Sequence, residues 1–277
     1  MKKKILIGIG VLIAIVIAVF FIFYYPSYRY FTNKEVVQVD KDMEVVIGGG
    51  GNSCLLVCDS AVLVIDTKMM GNAEDFYKMA REKAGKKPII VINTHYHQDH
   101  VKGNKFYKGS KIYIGNYDKA FLEKNIAPDC QPNVFVKDSL ELNLGNETAE
   151  LYNLGQAHTF NDMVVYLKNR KVLFSGDLLF HEVNPVLKKE SGANVDKWIA
   201  TLNLLSKRWG DAKIVPGHGK MGGKELIVSI KQYFEDMKIA AAEPAKEKEM
   251  KSKYNGWMKM RSLASPALTI EYIKTEK

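Results

Sequence analysis

The sequence predicts a layered α/β domain behind a single N-terminal membrane helix, and three observations lead there. Short β-branched runs separated by Gly, Asn and Asp turns recur through the middle of the chain. Stretches with helical periodicity are interleaved with them, and a charge-free apolar run stands at the amino end. The composition agrees: of 277 residues, 47% are hydrophobic and 26% charged, which suits one or two domains with a full core. Three Cys are too few for a disulfide scaffold.

Lys2, Lys3 and Lys4 precede Ile5–Tyr25, 21 residues without a charge. As a helix that run would extend roughly 30 Å, the depth of a bilayer core. It closes on aromatics from Phe20 to Tyr25, with no small-residue cleavage site and no Cys to take a lipid, so residues 1–25 read as an uncleaved signal-anchor. Lys2–Lys4 form a denser cluster than Arg29, Lys34 and Lys41 beyond the run, which predicts an extracytoplasmic body.

Residues 26–35 read as a linker and residues 36–239 as the folded body. Met43–Ile47, Cys54–Val57 and Val62–Ile65 are strands separated by the turns Gly48–Asn52 and Asp59–Ser60. Asn72 is placed to cap a helix that runs to Ala84 and stops at Gly85. Pro88–Asn93 is a continuous apolar run, as in a strand buried on both faces, and Lys111–Ile114 is another short strand. Strands recur at Thr148–Leu154, Met163–Leu167, Val172–Ser175 and Ile214–Val215. Val195, Trp198, Ile199, Leu202 and Leu205 make a helical stripe within Val195–Trp209, with Trp198 in the core, and Lys224–Ile239 is a second helix. Residues 240–277 form a lysine-rich tail, a docking arm or a solvated end, with a strand at Leu268–Ile273.

The 40 basic and 31 acidic residues give a net charge of +9, which raises the question of a nucleic-acid partner. Phosphate-binding surfaces need clustered cations, whereas these lysines are dispersed and three precede the apolar run, so no nucleic acid is favoured. Cys54 and Cys58 within one strand would stand roughly 13 Å apart. That is too far for a disulfide, and they read as small core residues.

The chemistry is concentrated elsewhere. Thr94-His95-Tyr96-His97-Gln98-Asp99-His100 follows the buried strand directly, and the i, i+2 spacing of His95 and His97 lets two imidazoles converge on one ion. Asp99 and His100 are free to face a second. His158, Asp177 and His218 each follow a predicted strand beside glycine, so that five of the six His fall into one pattern. Imidazole and carboxylate are both good zinc ligands, and iron or manganese suits the same donors. His181, outside the pattern and four residues after Asp177, reads as a surface or packing residue, with a place at the groove mouth as the alternative.

The ordered set T-H-Y-H-Q-D-H (94–100), A-H-T (157–159), S-G-D (175–177) and P-G-H-G (216–219) resembles the metallo-β-lactamase fold superfamily of hydrolases, over roughly Met43 to Phe234. The resemblance implies an αββα sandwich with two zinc ions in the groove between its sheets. It assigns His95, His97 and His158 to one ion, and Asp99, His100 and His218 to the other, with Asp177 bridging. Asp66 matches an early Asp that supports the loop beneath the site without touching the ions. The chemistry implied is hydrolysis of an ester, thioester, lactone or amide-type bond of a small molecule by a hydroxide that the metals supply, Asp99 also taking or delivering a proton.

The wording A-H-T-F-N-D-M-V-V-Y-L (157–167), N-V-D-K-W (194–198) and P-G-H-G is similar to the zinc β-lactamases themselves. Those closest in wording carry Cys where this chain has Asp177, and Lys where it has Phe180. The bridging Asp is instead similar to that of glyoxalase II and lactonases, although glyoxalase II also carries a dedicated C-terminal helical domain. An RNase Z-like phosphodiesterase and an iron-dependent sulfur dioxygenase are the alternatives within this fold. Di-iron flavoproteins have Glu where this chain has His97. The substrate is gripped by variable parts, here the turn Gly48–Asn52 and the tail after Ala240.

Overall fold

The structure, a computed structural model, describes residues 2–21, 25–259 and 263–276. In chain order the elements are α1 (Lys2–Val19), α2 (Tyr25–Thr32), β1 (Lys34–Asp40), β2 (Met43–Gly48), β3 (Ser53–Val57), β4 (Val62–Ile65), α3 (Met70–Ala84), β5 (Ile89–Ile92) and α4 (Gln98–Val101). Then come β6 (Lys111–Gly115), α5 (Lys119–Asn125), β7 (Val134–Val136), β8 (Ser139–Asn143), β9 (Thr148–Gly155), β10 (Asp162–Leu167) and β11 (Val172–Phe180). The chain continues through α6 (Val195–Trp209), β12 (Lys213–His218), α7 (Lys224–Ala242), α8 (Glu247–Ser252) and α9 (Pro266–Thr275).

The strands form two sheets, one ordered β1 to β7 and the other β12-β11-β10-β9-β8. Strand alternation dictates how they stack, because successive side chains leave opposite faces. Along β4, Val62 and Val64 pack with Phe76 and Ala80 of α3, while Leu63 and Ile65 enter the space between the sheets. Across that space lie Leu151, Val165, Phe174 and Val215 of the second sheet. Leu173 and Ile214 leave its other face to meet Trp198, Leu202, Leu205, Tyr233 and Phe234 of α6 and α7. The layers therefore run helix, sheet, sheet, helix: an αββα sandwich.

Several elements differ from the sequence expectation. Among the described residues no helix is long and apolar enough to cross a membrane. The first helix takes in Lys2–Lys4, and its uncharged part, Ile5–Val19, reaches only about 22 Å at the usual rise. The expected membrane span Ile5–Tyr25 is not supported, and its residues Ile22–Tyr24 lie outside the described residues. The linker is itself structured, as α2 and the start of edge strand β1. α3 starts at Met70, and Asn72 is not its cap; the Asn72 amide reaches Thr32 O and Gly49 O.

The C-terminal tail is folded onto the body. Leu268–Ile273 is helical, because Ser265 Oγ accepts from Leu268 N and Pro266 opens the first turn, so a start signal outweighs the β-branched residues. Met250, Tyr254, Ile270 and Ile273 join the outer core against α7, and Tyr233 hydroxyl bonds Thr269 hydroxyl at 2.8 Å. Ile270, 2% exposed, tests this packing. Ile270→Ala is expected to cost about 2–5 kcal/mol in urea unfolding; an unchanged midpoint would mean that the tail is not part of the core.

Candidate metal centre

The site lies where strand ends from both sheets meet. β4 delivers Asp66, the turn after β5 delivers His95 and His97, and α4 presents Asp99 and His100. His158 follows β9, while Asp177 lies within β11 and His218 ends β12. β11 runs five residues beyond the predicted Ser175, its register breaking around Gly176. The seven expected ligands fall into two donor groups, His95–His97–His158–Asp177 and Asp99–His100–His218, each with its ligand atoms within 4.8 Å of one another.

Asp177 joins the groups. Its Oδ2 lies 3.4 Å from His158 Nε2, 3.3 Å from His218 Nε2 and 4.0 Å from His95 Nε2, and its Oδ1 is 3.2 Å from His100 Nε2. On the outer side, Asp99 Oδ2 stands 3.3 Å from His218 Nε2 and 3.6 Å from His100 Nε2. His181 sits apart, its Nδ1 bonded to the carbonyl of Lys220.

Outer hydrogen bonds aim the rings. Asp66 Oδ2 lies 2.8 Å from His100 Nδ1, and its two oxygens accept from the amide and hydroxyl of Thr94. With its proton given to Asp66, the Thr94 hydroxyl accepts from His95 Nδ1, at 3.2 Å. Both imidazoles are thereby fixed with Nε2 toward the centre. On the far side Ser191 Oγ lies 3.3 Å from His97 Nε2, leaving Nδ1 turned inward, 3.0 Å from His158 Nε2. Asp66 lies behind the donors, bonded to His100 and Thr94, and nothing in the sequence around Ser191 pointed to its contact with His97.

The donors suit a metal ion. His95 Nε2, His100 Nε2 and Asp177 Oδ1 are buried with no hydrogen bond of acceptable geometry, an arrangement that costs about 1–3 kcal/mol per group unless something else satisfies it. Burial pushes His97 down to about 4 and His158 to about 3, so at neutral pH both keep the lone pair that a metal needs. Burial works against a charge on His218 too, but Asp177 and Asp99 raise it to about 9. Burial also opposes ionisation of Asp99 and Asp177, and the rings of His100 and His218 overcome it, holding both carboxyls below the usual range. A proton on His100 or His218 stands where a divalent cation would replace it.

The backbone closes tightly around these donors. A Cβ on Gly217 would run into Asp177 Oδ1, and one on Gly51 would strike the His100 ring. The ridge Gly48–Gly51 is pinned from below by Lys68, fully buried, whose Nζ donates to Val46 O, Gly48 O and Gly51 O at 2.6–2.7 Å. Burial draws that amine down to about 7, against the pull of Asp66 and Asp99. From the other side Asn52 Nδ2 donates to Pro216 O and Gly219 O, both at 2.8 Å. Cys54, Cys58 and Cys130 are buried free thiols.

Comparison with known proteins agrees with this geometry. Residues 46–218, more than half of the chain, match the metallo-beta-lactamase superfamily. The chain is 26% identical over 181 residues to a metallo-beta-lactamase type 2 of Bacillus cereus, covering 64% of this chain and 70% of that protein. It is 26% identical over 185 residues to one of Bacteroides fragilis, covering 65% and 74%. Among solved structures, a metallo-beta-lactamase from Pontibacter korlensis superposes with a TM-score of 0.64 at 21% identity, covering 73% of this chain and 99% of that one, a likeness of fold.

Two predictions follow from the close packing. Gly217→Ala is expected to displace Asp177 and remove at least one zinc ion per chain from zinc-loaded, dialysed protein, as read by elemental analysis; full retention would show that the contact is slack. Lys68→Met deprives three backbone carbonyls, two of them on the ridge, of their donor and is expected to lower stability in urea by about 1–3 kcal/mol.

Proposed function

The chain belongs to the metallo-beta-lactamase superfamily and is a metal-dependent hydrolase, and from that premise we propose that it uses two zinc ions to hydrolyse an ester, thioester, lactone or amide-type bond of a small molecule. The observation that carries the reading is the single carboxylate of Asp177 set between two donor groups, a bridge suited to a binuclear centre. His95, His97 and His158 would hold one ion, and Asp99, His100 and His218 the other. When bound, such ions polarise a scissile carbonyl and lower the pKa of water from 15.7 toward about 7.

The chain's own residues supply the rest. Asp66 and Thr94 keep His100 and His95 in one tautomer, and Ser191 orients His97. Asp99 is the more open of the two central carboxylates, its side chain 19% exposed against 6% for Asp177. Its Oδ2 is the atom best placed to take a proton and return it to a leaving group. The groove over the centre, about 540 Å³, is lined by Met69 and Leu263 as well as Lys188 and Glu190, which suits a substrate with apolar and polar parts.

β-Lactam hydrolysis is the second reading, favoured by the likeness to relatives named metallo-beta-lactamase type 2. Against it stands Phe180, buried and stacked parallel on the His218 ring at 5.5 Å, where the β-lactamases closest in wording present a lysine. The proposal also covers location. Ile9, Leu12 and Val16 are exposed on α1, where lipid would cover them, and the Lys2–Lys4 cluster ahead of the apolar run favours a body outside the cytoplasm.

Zinc-loaded full-length protein is expected to turn over at least one member of a panel of esters, thioesters and lactones, and Asp177→Ala to lose at least 100-fold of that rate. Turnover confined to β-lactams would move the assignment to the second reading, and turnover confined to phosphodiesters would remove both. A C-terminal reporter active only in the cytoplasm would overturn the proposed location.

A further inference from the structure

On the far side of the glycine ridge lies a second cleft, of about 630 Å³, lined by Arg29, Lys34, Glu35, His218, Met258 and Lys259 among others. His218 also lines the groove over the metal centre, so the two cavities meet at a proposed ligand. The ridge between them is bare. Gly50 lines the cleft, and a side chain there would run into Met69 and Asp99, at 3.1 and 3.2 Å from its Cβ. Lys68 and Asn52 hold this partition in place from below and from behind.

The lining carries Arg29, Lys34 and Lys259 against the single carboxylate of Glu35, so its cations outnumber its anions. Lys34 Nζ is engaged by Asp75 Oδ2 at 2.6 Å. Arg29 and Lys259 form no ion pair among the described residues. Arg29 has neutral neighbours: the Tyr25 ring, with its centroid 5.9 Å away, and Asn33, whose amide oxygen, when turned to face the guanidinium, lies 3.2 Å from Nε and Nη2. Lys259 Nζ lies 3.4 Å from Asn255 Oδ1. Two cations at the wall of a concave cleft focus a positive field, and a guanidinium fork matches the paired oxygens of a carboxylate or phosphate. Arg29 and Lys259 both lie outside the superfamily region 46–218, so the cleft is built by the two ends of this chain around the shared domain.

We propose that this cleft is an oxyanion subsite, in which Arg29 and Lys259 grip a carboxylate or phosphate of the substrate while its scissile bond lies over the metal centre. That the anion belongs to the substrate rests on the hydrolase reading; that the cleft binds an oxyanion does not. The subsite gives the substrate's charge a place to dock in a chain whose Phe180 offers none.

The test is isothermal titration of full-length zinc-loaded protein in detergent, with inorganic phosphate and succinate as probes. At least one is expected to bind, and the double variant Arg29→Ala/Lys259→Ala to bind it at least tenfold more weakly. Lys248→Ala, on α8 and outside the cleft lining, is expected to bind as the parent does. Preference for phosphate or succinate identifies the charged group. Because metal ions also bind oxyanions, the titration is repeated after chelation of zinc, where the difference between parent and double variant is expected to persist. Lys259→Glu provides a second variant, expected to abolish the cleft's share of binding. Both targeted side chains are exposed, so thermal unfolding of the variants is expected to match the parent. Absence of binding by both probes, or equal affinity in parent and double variant, overturns the proposal. No turnover is read, so a silent substrate panel leaves the result standing.

Discussion

The carboxylate of Asp177 lies within 4.0 Å of four imidazoles contributed by three separate segments, and much of the fold follows from the difficulty of burying it there. A lone carboxylate in so dry a place would cost several kcal/mol, and two of the facing rings become cationic to hold it ionised. Protons are a poor substitute for metal ions in this role, because they leave His95 Nε2 and an oxygen of Asp177 itself without hydrogen bonds. Divalent cations held by these donors would satisfy those atoms. The two sheets deliver these groups from opposite sides because their strand ends converge at one edge.

Tight packing then restricts the chain nearby. Gly217 and Gly51 are fixed by van der Waals contact with Asp177 and His100, and a methyl group at either would push a donor off its position. The ridge containing Gly51 could be a loose loop, given its run of four glycines, but Lys68 and Asn52 tie it down with five hydrogen bonds to backbone carbonyls. Flexible composition and rigid placement coexist because the anchoring groups sit outside the run. The result is a thin fixed partition between two cavities, which neither sheet could form by itself.

Local patterns were readable in the sequence, while long-range ones were not. His95, His97, Asp99 and His100 fall within one turn after a buried strand, so their convergence follows from spacing alone. Asp177 and His218 could be placed because glycine flanks each after a strand, and Asp66 only through the resemblance. Ser191 and Lys68 escaped notice because their partners lie 94 residues away for one and 17–22 for the other, through a side chain and three carbonyls that carry no sequence signature. The β-branched residues of Leu268–Ile273 favour a strand, but Ser265-Pro266 is a helix start and the cap prevails. The apolar N-terminal run is long by its charge-free length, whereas the helix as folded begins within the lysines and ends at Val19.

The tail matters to the metal centre through the segment between β11 and α6. That segment carries Lys188 and Ser191 to the groove, and it is secured at both ends by the tail. At its start Met258 N donates to Glu182 O, while Met258 O accepts from the backbone and side-chain amides of Asn184. At its end the Tyr272 hydroxyl donates to Ala193 O and Glu276 Oε1 accepts from Val195 N. Since Ser191 orients His97, a continuous run of hydrogen bonds and backbone connects α9 to a proposed ligand. A tail that merely hung in solvent would leave that segment free to drift, and His97 with it. The residues outside the shared domain therefore shape one wall of the groove and, through Met258 and Lys259, one wall of the neighbouring cleft. The donors sit at the strand ends and in the turn after β5, and segments flanking residues 46–218 line part of the approach to them.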